Sequence, residues 1–229
     1  MTHSLHRLGD YESLKKDYVL FALTAAGVYG KDLGHAAGSA AKKKRFLDIV
    51  ASHGPVNMSV SPTHDRRRLA LAAGYTLEEL RNGICDKSEI YSVFNNMDSV
   101  KRVIEELKTK NLGLSVVVSG IFDEVFRCCR EISMTPHTVN MSVGIMGRTE
   151  MLPRKRVLEM TTMCGHSLVS SGLVEHLINR VRNRKMTSEE AAGVLAKQCL
   201  CGIFNTARAV ELIELAASEI VDKPSESHD

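Results

Sequence analysis

Tryptophan is absent from the 229 residues, and aromatic side chains make up only 5% of them. That shortage argues against a surface that stacks nucleic-acid bases on aromatic rings. An excess of one charge is missing too: 30 lysines and arginines stand against 27 aspartates and glutamates, a net charge of +3. The strong positive field of a nucleic-acid binder is therefore not to be expected. The basic runs Lys42–Arg45 and Arg66–Arg68 each adjoin apolar residues in a helix-like pattern and read as solvated helix faces. If either binds an anion, a small molecule suits it as well as RNA does. No apolar run reaches the length of a membrane span. The opening stretch MTHSLHRLGDYESLKKDY also lacks the apolar core of a secretory signal. The expectation is a cytoplasmic protein with no membrane partner, whose six cysteines stay reduced. In that compartment they serve as core, catalytic or metal-binding residues and not as a disulfide framework.

What the chain does have is aliphatic mass, 44% hydrophobic residues, enough to bury the core of one large domain or two closely packed small ones. From Asp10 to about Val50 the pattern is helical, with Gly27, Gly30, Gly34 and Gly38 marking a loop or a close helix contact. In VNMSV at 56–60, Val56, Met58 and Val60 alternate with Asn57 and Ser59, the period of a half-buried strand. Thr76 and Glu79 form a capping box for a short helix ended by Gly83. EIYSVF at 89–94 reads as a strand, and Asp98 as the cap of the helix that follows. LGLSVVVSG at 112–120 reads as the clearest buried strand, IFDEVFRCCREI as a helix, and HTVNMSVGIMG at 137–147 as one more strand. The pentapeptide VNMSV thus occurs twice, at 56–60 and 139–143. If the copies are equivalent strands of a duplicated unit, Asn57, Ser59, Asn140 and Ser142 share equivalent faces and look toward a polar site. Otherwise they face solvent.

After Pro153 the pattern turns helical. Pro153 can open a helix, Ser170 or Ser171 can cap the next, Thr187 with Glu190 is a second capping box, and Asn205 or Thr206 can cap the last. The fold class expected is α/β (α+β): N-terminal helices, a small α/β sheet region and a C-terminal helical bundle. The corresponding divisions are 1–150, 151–222 and a disordered tail, 223–229.

Two stretches concentrate thiols: TTMCGHSLVSSG at 161–172 and AKQCLCGIFNTA at 196–207. Four consecutive helices with short connections run alternately up and down, so the first and third connections fall at one end. Cys164 and His166 would then meet Cys199 and Cys201. In loops, residues two apart can converge on one site, which they cannot do on a helix. A glycine beside a cysteine lets backbone N–H groups approach the sulfur.

Three chemistries suit such a set. A [4Fe–4S] cluster on Cys164, Cys199 and Cys201 leaves one iron free to bind a substrate, or to be capped by His166. Zinc would take all four as a Cys₃His shell. With no metal, Cys164 would be a nucleophile and His166 its base. Small buried cysteines that pack helix junctions are the plain alternative. The leading expectation is an oxygen-sensitive iron–sulfur enzyme, acting on a small anionic substrate by lyase, dehydratase or sulfur-handling chemistry. Zinc-stabilised ligand-binding or regulatory protein and metal-free binding module are its rivals. Acid–base roles fall to His137 and His53, each close to a VNMSV segment. Substrate contacts fall to Arg148 and Thr149 in a loop at the end of the last expected strand, and to Asn57, Ser59, Asn140 and Ser142. His64 with Asp65 and Arg66 or Arg67 makes a further candidate anion site. A homodimer would close a loop-borne site at the end of a bundle.

Overall fold

The computed structural model describes residues 4–24, 38–61 and 68–219. Five strands, β1 (Tyr18–Thr24), β2 (Asn57–Ser61), β3 (Leu69–Ala70), β4 (Glu89–Phe94) and β5 (Leu114–Ser119), form one sheet in the order β3-β2-β4-β1-β5. Every pairing is antiparallel. Helices α2 (Ser39–Ser52) and α4 (Met97–Lys110) connect β1 to β2 and β4 to β5. The chain therefore follows a split β-α-β-β-α-β path, with the short β3 added at one edge. Alternation along each strand gives the sheet two apolar faces. Tyr18, Leu20, Met58, Val60, Ile90 and Phe94 pack under Phe46, Leu47 and Val50 of α2 and Val100, Val103 and Leu107 of α4. Val19, Phe21, Tyr91 and Val93 look the other way.

That second face carries the C-terminal helices α6 (Lys155–Thr161), α7 (Ser171–Arg182), α8 (Ser188–Gln198) and α9 (Thr206–Ser218). Val157, Val174, Leu177, Leu195, Leu212 and Ile213 join the strand residues in one core. The fold is thus mixed α+β with a C-terminal helical bundle, and the bundle shares a core with the sheet. Caps start the helices where the sequence places them. Ser170 accepts from the Leu173 N–H, Asn205 from the Arg208 N–H, and capping boxes open α3 (Leu77–Asn82) at Thr76 and α8 at Thr187. At α4 the cap is Asn96 and not Asp98.

The N-terminal expectation holds in part. Of the helical pattern from Asp10 to about Val50, α1 (Tyr11–Leu14) and α2 are helices, but Tyr18–Thr24 is a central strand. Both faces of β1 are covered, so its sequence is a continuous apolar run and carries no two-residue period. A second correction concerns HTVNMSVGIMG. Residues 133–152 pair with no described strand, and every one of them is exposed. The first VNMSV is β2; the second is not a strand, so the two are not equivalent. β5 is an edge strand, half-buried, after α4 and before α5 (Phe122–Glu131). Gly27, Gly30, Gly34, the His64–Asp65–Arg66–Arg67 group and the tail 223–229 lie outside the described residues. Among those described, no helix is long and apolar enough to cross a membrane.

Candidate functional site

The connections α6–α7 and α8–α9 meet over the bundle-facing side of the sheet. Cys199 is the C-cap of α8, where the chain leaves helical geometry. The Gly202 N–H closes a turn onto the Cys199 carbonyl at 2.9 Å. Gly202 holds φ at +63°, and a Cβ there would sit 2.3 Å from the Ser59 Cβ. This left-handed, tightly overlain position suits glycine alone. The turn is fastened from beneath. Ser59 donates its hydroxyl to the Cys201 carbonyl. The Asn57 amide donates to the Phe204 carbonyl at 3.1 Å and accepts from the Ala72 N–H at 3.2 Å. Asn205 donates to the Lys16 carbonyl at 2.8 Å and to Asp17 at 3.0 Å. Cys164 lies in the turn after α6, its N–H bonded to the Thr161 carbonyl at 3.1 Å.

These turns bring the three thiols together, all of them buried. Each thiol perturbs the next, Cys164 that of Cys199 and Cys199 that of Cys201, and the proton is held most firmly at the Cys164 end. Neighbouring backbone amides favour the thiolates, those of His166 and Leu168 at Cys164 and that of Ile203 at Cys199. At the solvent side, His166 Nδ1 stands 2.7 Å from Cys201 Sγ. The proton order follows from these pairings. The hydrogen bond with Cys199, with burial, pushes the Cys164 thiol far up. Cys199 gains thiolate stability from Cys164, but its pairing with Cys201 and its burial leave it raised. The hydrogen bond with Cys199 lowers Cys201 against the cost of its burial, and the Arg68 guanidinium adds to the lowering. Cys201 is therefore the thiol that ionises first.

Arg68 is a site residue that the sequence reading passed over as part of a solvated run. It lies 5.0 Å over the Tyr91 ring, and Nη2 donates to Glu89 at 2.9 Å. Its Nη1 is buried and has no hydrogen-bond partner among the described residues. The available signal was its position: Arg68 directly precedes β3, whose Leu69 pairs with Val60. A residue entering a strand beside β2 is fixed over the sheet.

The other candidates are placed differently. Asn57 and Ser59 reach the thiol turn, but as fully buried anchors whose side chains are spent on backbone groups. His53 lies at the C-terminus of α2, on the opposite face, 2.9 Å from Glu106. His137, Asn140, Ser142, Arg148 and Thr149 all lie in the exposed stretch 133–152. Ser142 meets His6 at 3.3 Å and Arg148 pairs with Glu150 at 3.3 Å. None of these five joins the thiols. Cys128 and Cys129 sit on α5, outside the thiol site.

No protein-family model, no curated protein and no solved structure matches this chain. The residues carry the functional argument alone. As they stand, the thiols are closed on one another, and among the described residues no group of three or more His, Cys, Asp or Glu is arranged as the shell of a metal ion. Loading a metal exchanges thiol–thiol hydrogen bonds for thiolate–metal bonds and releases protons. The amides of His166, Leu168 and Ile203 favour that exchange, because backbone N–H groups near sulfur stabilise thiolates.

Proposed function

We propose that Cys164, Cys199 and Cys201 are the protein ligands of a [4Fe–4S] cluster and that the protein is an iron–sulfur enzyme. The observation that supports this reading most is the convergence of three buried thiols from two distant connections, with His166 Nδ1 2.7 Å from the Cys201 sulfur. Three cysteines leave one iron of a four-iron cluster without a protein thiolate, the arrangement of a cluster that binds substrate more than one that only carries electrons. His166 is exposed and next to Cys201, where it can cap that iron or hand over a proton. Arg68 supplies positive charge and a spare donor, which suits a small anionic substrate in lyase, dehydratase or sulfur-handling chemistry. Zinc bound by the same four residues is the alternative metal.

A second, metal-free reading rests on a separate observation, the lowered Cys201 thiol 2.7 Å from His166. Here Cys201, and not Cys164, is the nucleophile. The test is anaerobic purification, an absorption spectrum, and elemental analysis for iron, sulfide and zinc. About four irons and four sulfides per chain, lost in each of Cys164→Ala, Cys199→Ala and Cys201→Ala but kept in Cys128→Ala, is the expected outcome. Full metal content in all three site variants would end the cluster reading. One zinc without iron selects the Cys₃His shell. No metal after reconstitution, with rapid alkylation of Cys201 near neutral pH, selects the nucleophile.

A further inference from the structure

The stretch 133–152 is in a state that water does not favour. Eight of the fourteen large apolar side chains left exposed among the described residues lie within it: Met134, Val139, Met141, Val143, Ile145, Met146, Met151 and Leu152. Val143 is 78% exposed and Met146 77%. Such a concentration on one segment marks an interaction surface. From Thr135 to Met146 no backbone–backbone hydrogen bond is made among the described residues; the Gly144 N–H goes to the Ser142 hydroxyl.

Beside it lies a sheet edge that is open among the described residues. There β5 is the last strand on its side, and its sequence LSVVVS holds no charge and no proline. Edges of monomeric proteins are ordinarily guarded by lysine, proline, a bulge or extreme shortness. The opposite edge, β3, has two residues. β5 has six and none of these guards. A groove of about 310 Å³ opens along β5, with residues 134–140 as its far wall. The chain's own arm therefore stands off from the edge.

We infer that the segment Val139–Ile145 of a second copy of this chain adds to β5 as a sixth strand, and that the exchange is reciprocal. Strand competence is shown by the same residues elsewhere in this sheet. Asn57–Val60 of the first VNMSV lie in β2, with Met58 and Val60 under α2 and α4 and Asn57 and Ser59 toward the bundle. In the same orientation Met141 and Val143 extend the row of Val116 and Val118, which pack half-buried against that core. Asn140, Ser142 and Gly144 extend the row of Ser115, Val117 and Ser119, in which Val117 is the one apolar member. Apolar meets apolar on the first face, and small or polar residues meet a row with two serines on the second, which sets the facing of the added strand. Residues 134–147 contain no Asp, Glu, Lys or Arg, so neither side loses a hydrated charge on pairing. A seven-residue strand spans about 23 Å, and with a sheet face about 10 Å deep two arms on two edges bury on the order of 1,000 Å², the size a specific interface needs. A two-fold dimer satisfies both edges at once and leaves none to propagate. This inference does not depend on the occupant of the thiol site.

The test is the mass of the full chain by light scattering at micromolar concentration, with amide hydrogen exchange of β5 alongside. A dimer is expected, with β5 amides exchanging at least tenfold more slowly than in Met141→Pro and Val143→Asp. Both variants should be monomers that keep the helical far-ultraviolet dichroism, since every residue of the arm is exposed. The exchange measurement on the wild-type dimer stands even if a variant fails to fold. A wild-type monomer overturns the inference, whether its β5 is unprotected or is protected by its own arm. So does a dimer that both folded variants retain, or one whose β5 amides exchange freely.

Discussion

Gly202 shows how little room the thiol turn leaves. Its neighbours are the Ser59 side chain and Ala70 Cβ, so the glycine brings the backbone against β2 and sets Cys201 beside its partners. Gly202→Ala adds a left-handed penalty of about 1–2 kcal/mol and an overpacking cost of about 1–3 kcal/mol. Its unfolding free energy from urea melts should fall by an amount in that range, and Cys201 should be displaced from its place beside Ser59. An unchanged midpoint would show that the turn tolerates a Cβ. The sequence makes this position legible because glycine next to cysteine is a local signal. Arg68 was not legible, since its meaning comes from the pairing of β3 with β2 and from Glu89 and Tyr91, some twenty residues away. Asn57 and Ser59 were legible as polar residues on one strand face, but not as anchors, because the turn they hold lies over 140 residues further on.

Helix α2 shows the same division between local and distant causes. Gly38, its N-cap, has no side chain to offer, and the carboxylate of Asp86 caps the helix instead, accepting from the Ala40 N–H at 2.7 Å and the Gly38 N–H at 3.0 Å. Those two backbone bonds, with Lys43 nearby, hold the Asp86 carboxyl below its usual range against a small opposing burial effect. A carboxyl lowered in the folded state adds stability that is complete above its unfolded value near 3.9. That stability is lost as pH falls through the lowered folded value. Asp86→Asn should therefore flatten the acid limb of the stability curve, measured by urea melts from pH 6 downward. An identical pH slope in the variant would remove Asp86 from this role. The capping boxes at Thr76 and Thr187 could be read directly because cap and partner lie three residues apart. β1 could not, because a strand covered on both faces loses its period. HTVNMSVGIMG misled for the opposite reason: it has the period of a strand, but no described strand pairs with it.

At the scale of the molecule, one buried network ties the beginning of the described chain to its last helix. Asp17 accepts from Arg7, from Arg208 at 2.8 Å and from Asn205 at 3.0 Å, and Arg208 also donates to the Leu8 carbonyl at 2.6 Å. Asp17 and Arg208 are essentially without solvent. Asp17→Asn leaves two arginines buried without their counter-charge, which costs about 3–5 kcal/mol. The expected result is a correspondingly lower unfolding free energy from urea melts, with Cys201 alkylated faster, because Asn205 donates to Asp17 and the Ile203 carbonyl accepts from Arg7 beside the thiol turn. An unfolding free energy within about 0.5 kcal/mol of wild type would mean that water reaches the network, since surface pairs carry that little. Ser59 and Cys201 are 142 residues apart in sequence and Leu8 and Arg208 are 200. A ribosome delivers the floor of the thiol turn long before the cysteines themselves. While the nascent chain grows, those thiols have no seat, and the seat exists before they arrive. Assembly of the three thiols is therefore a late event of synthesis, and a chain stopped before the end of α8 carries the strands of the sheet but neither Cys199 nor Cys201.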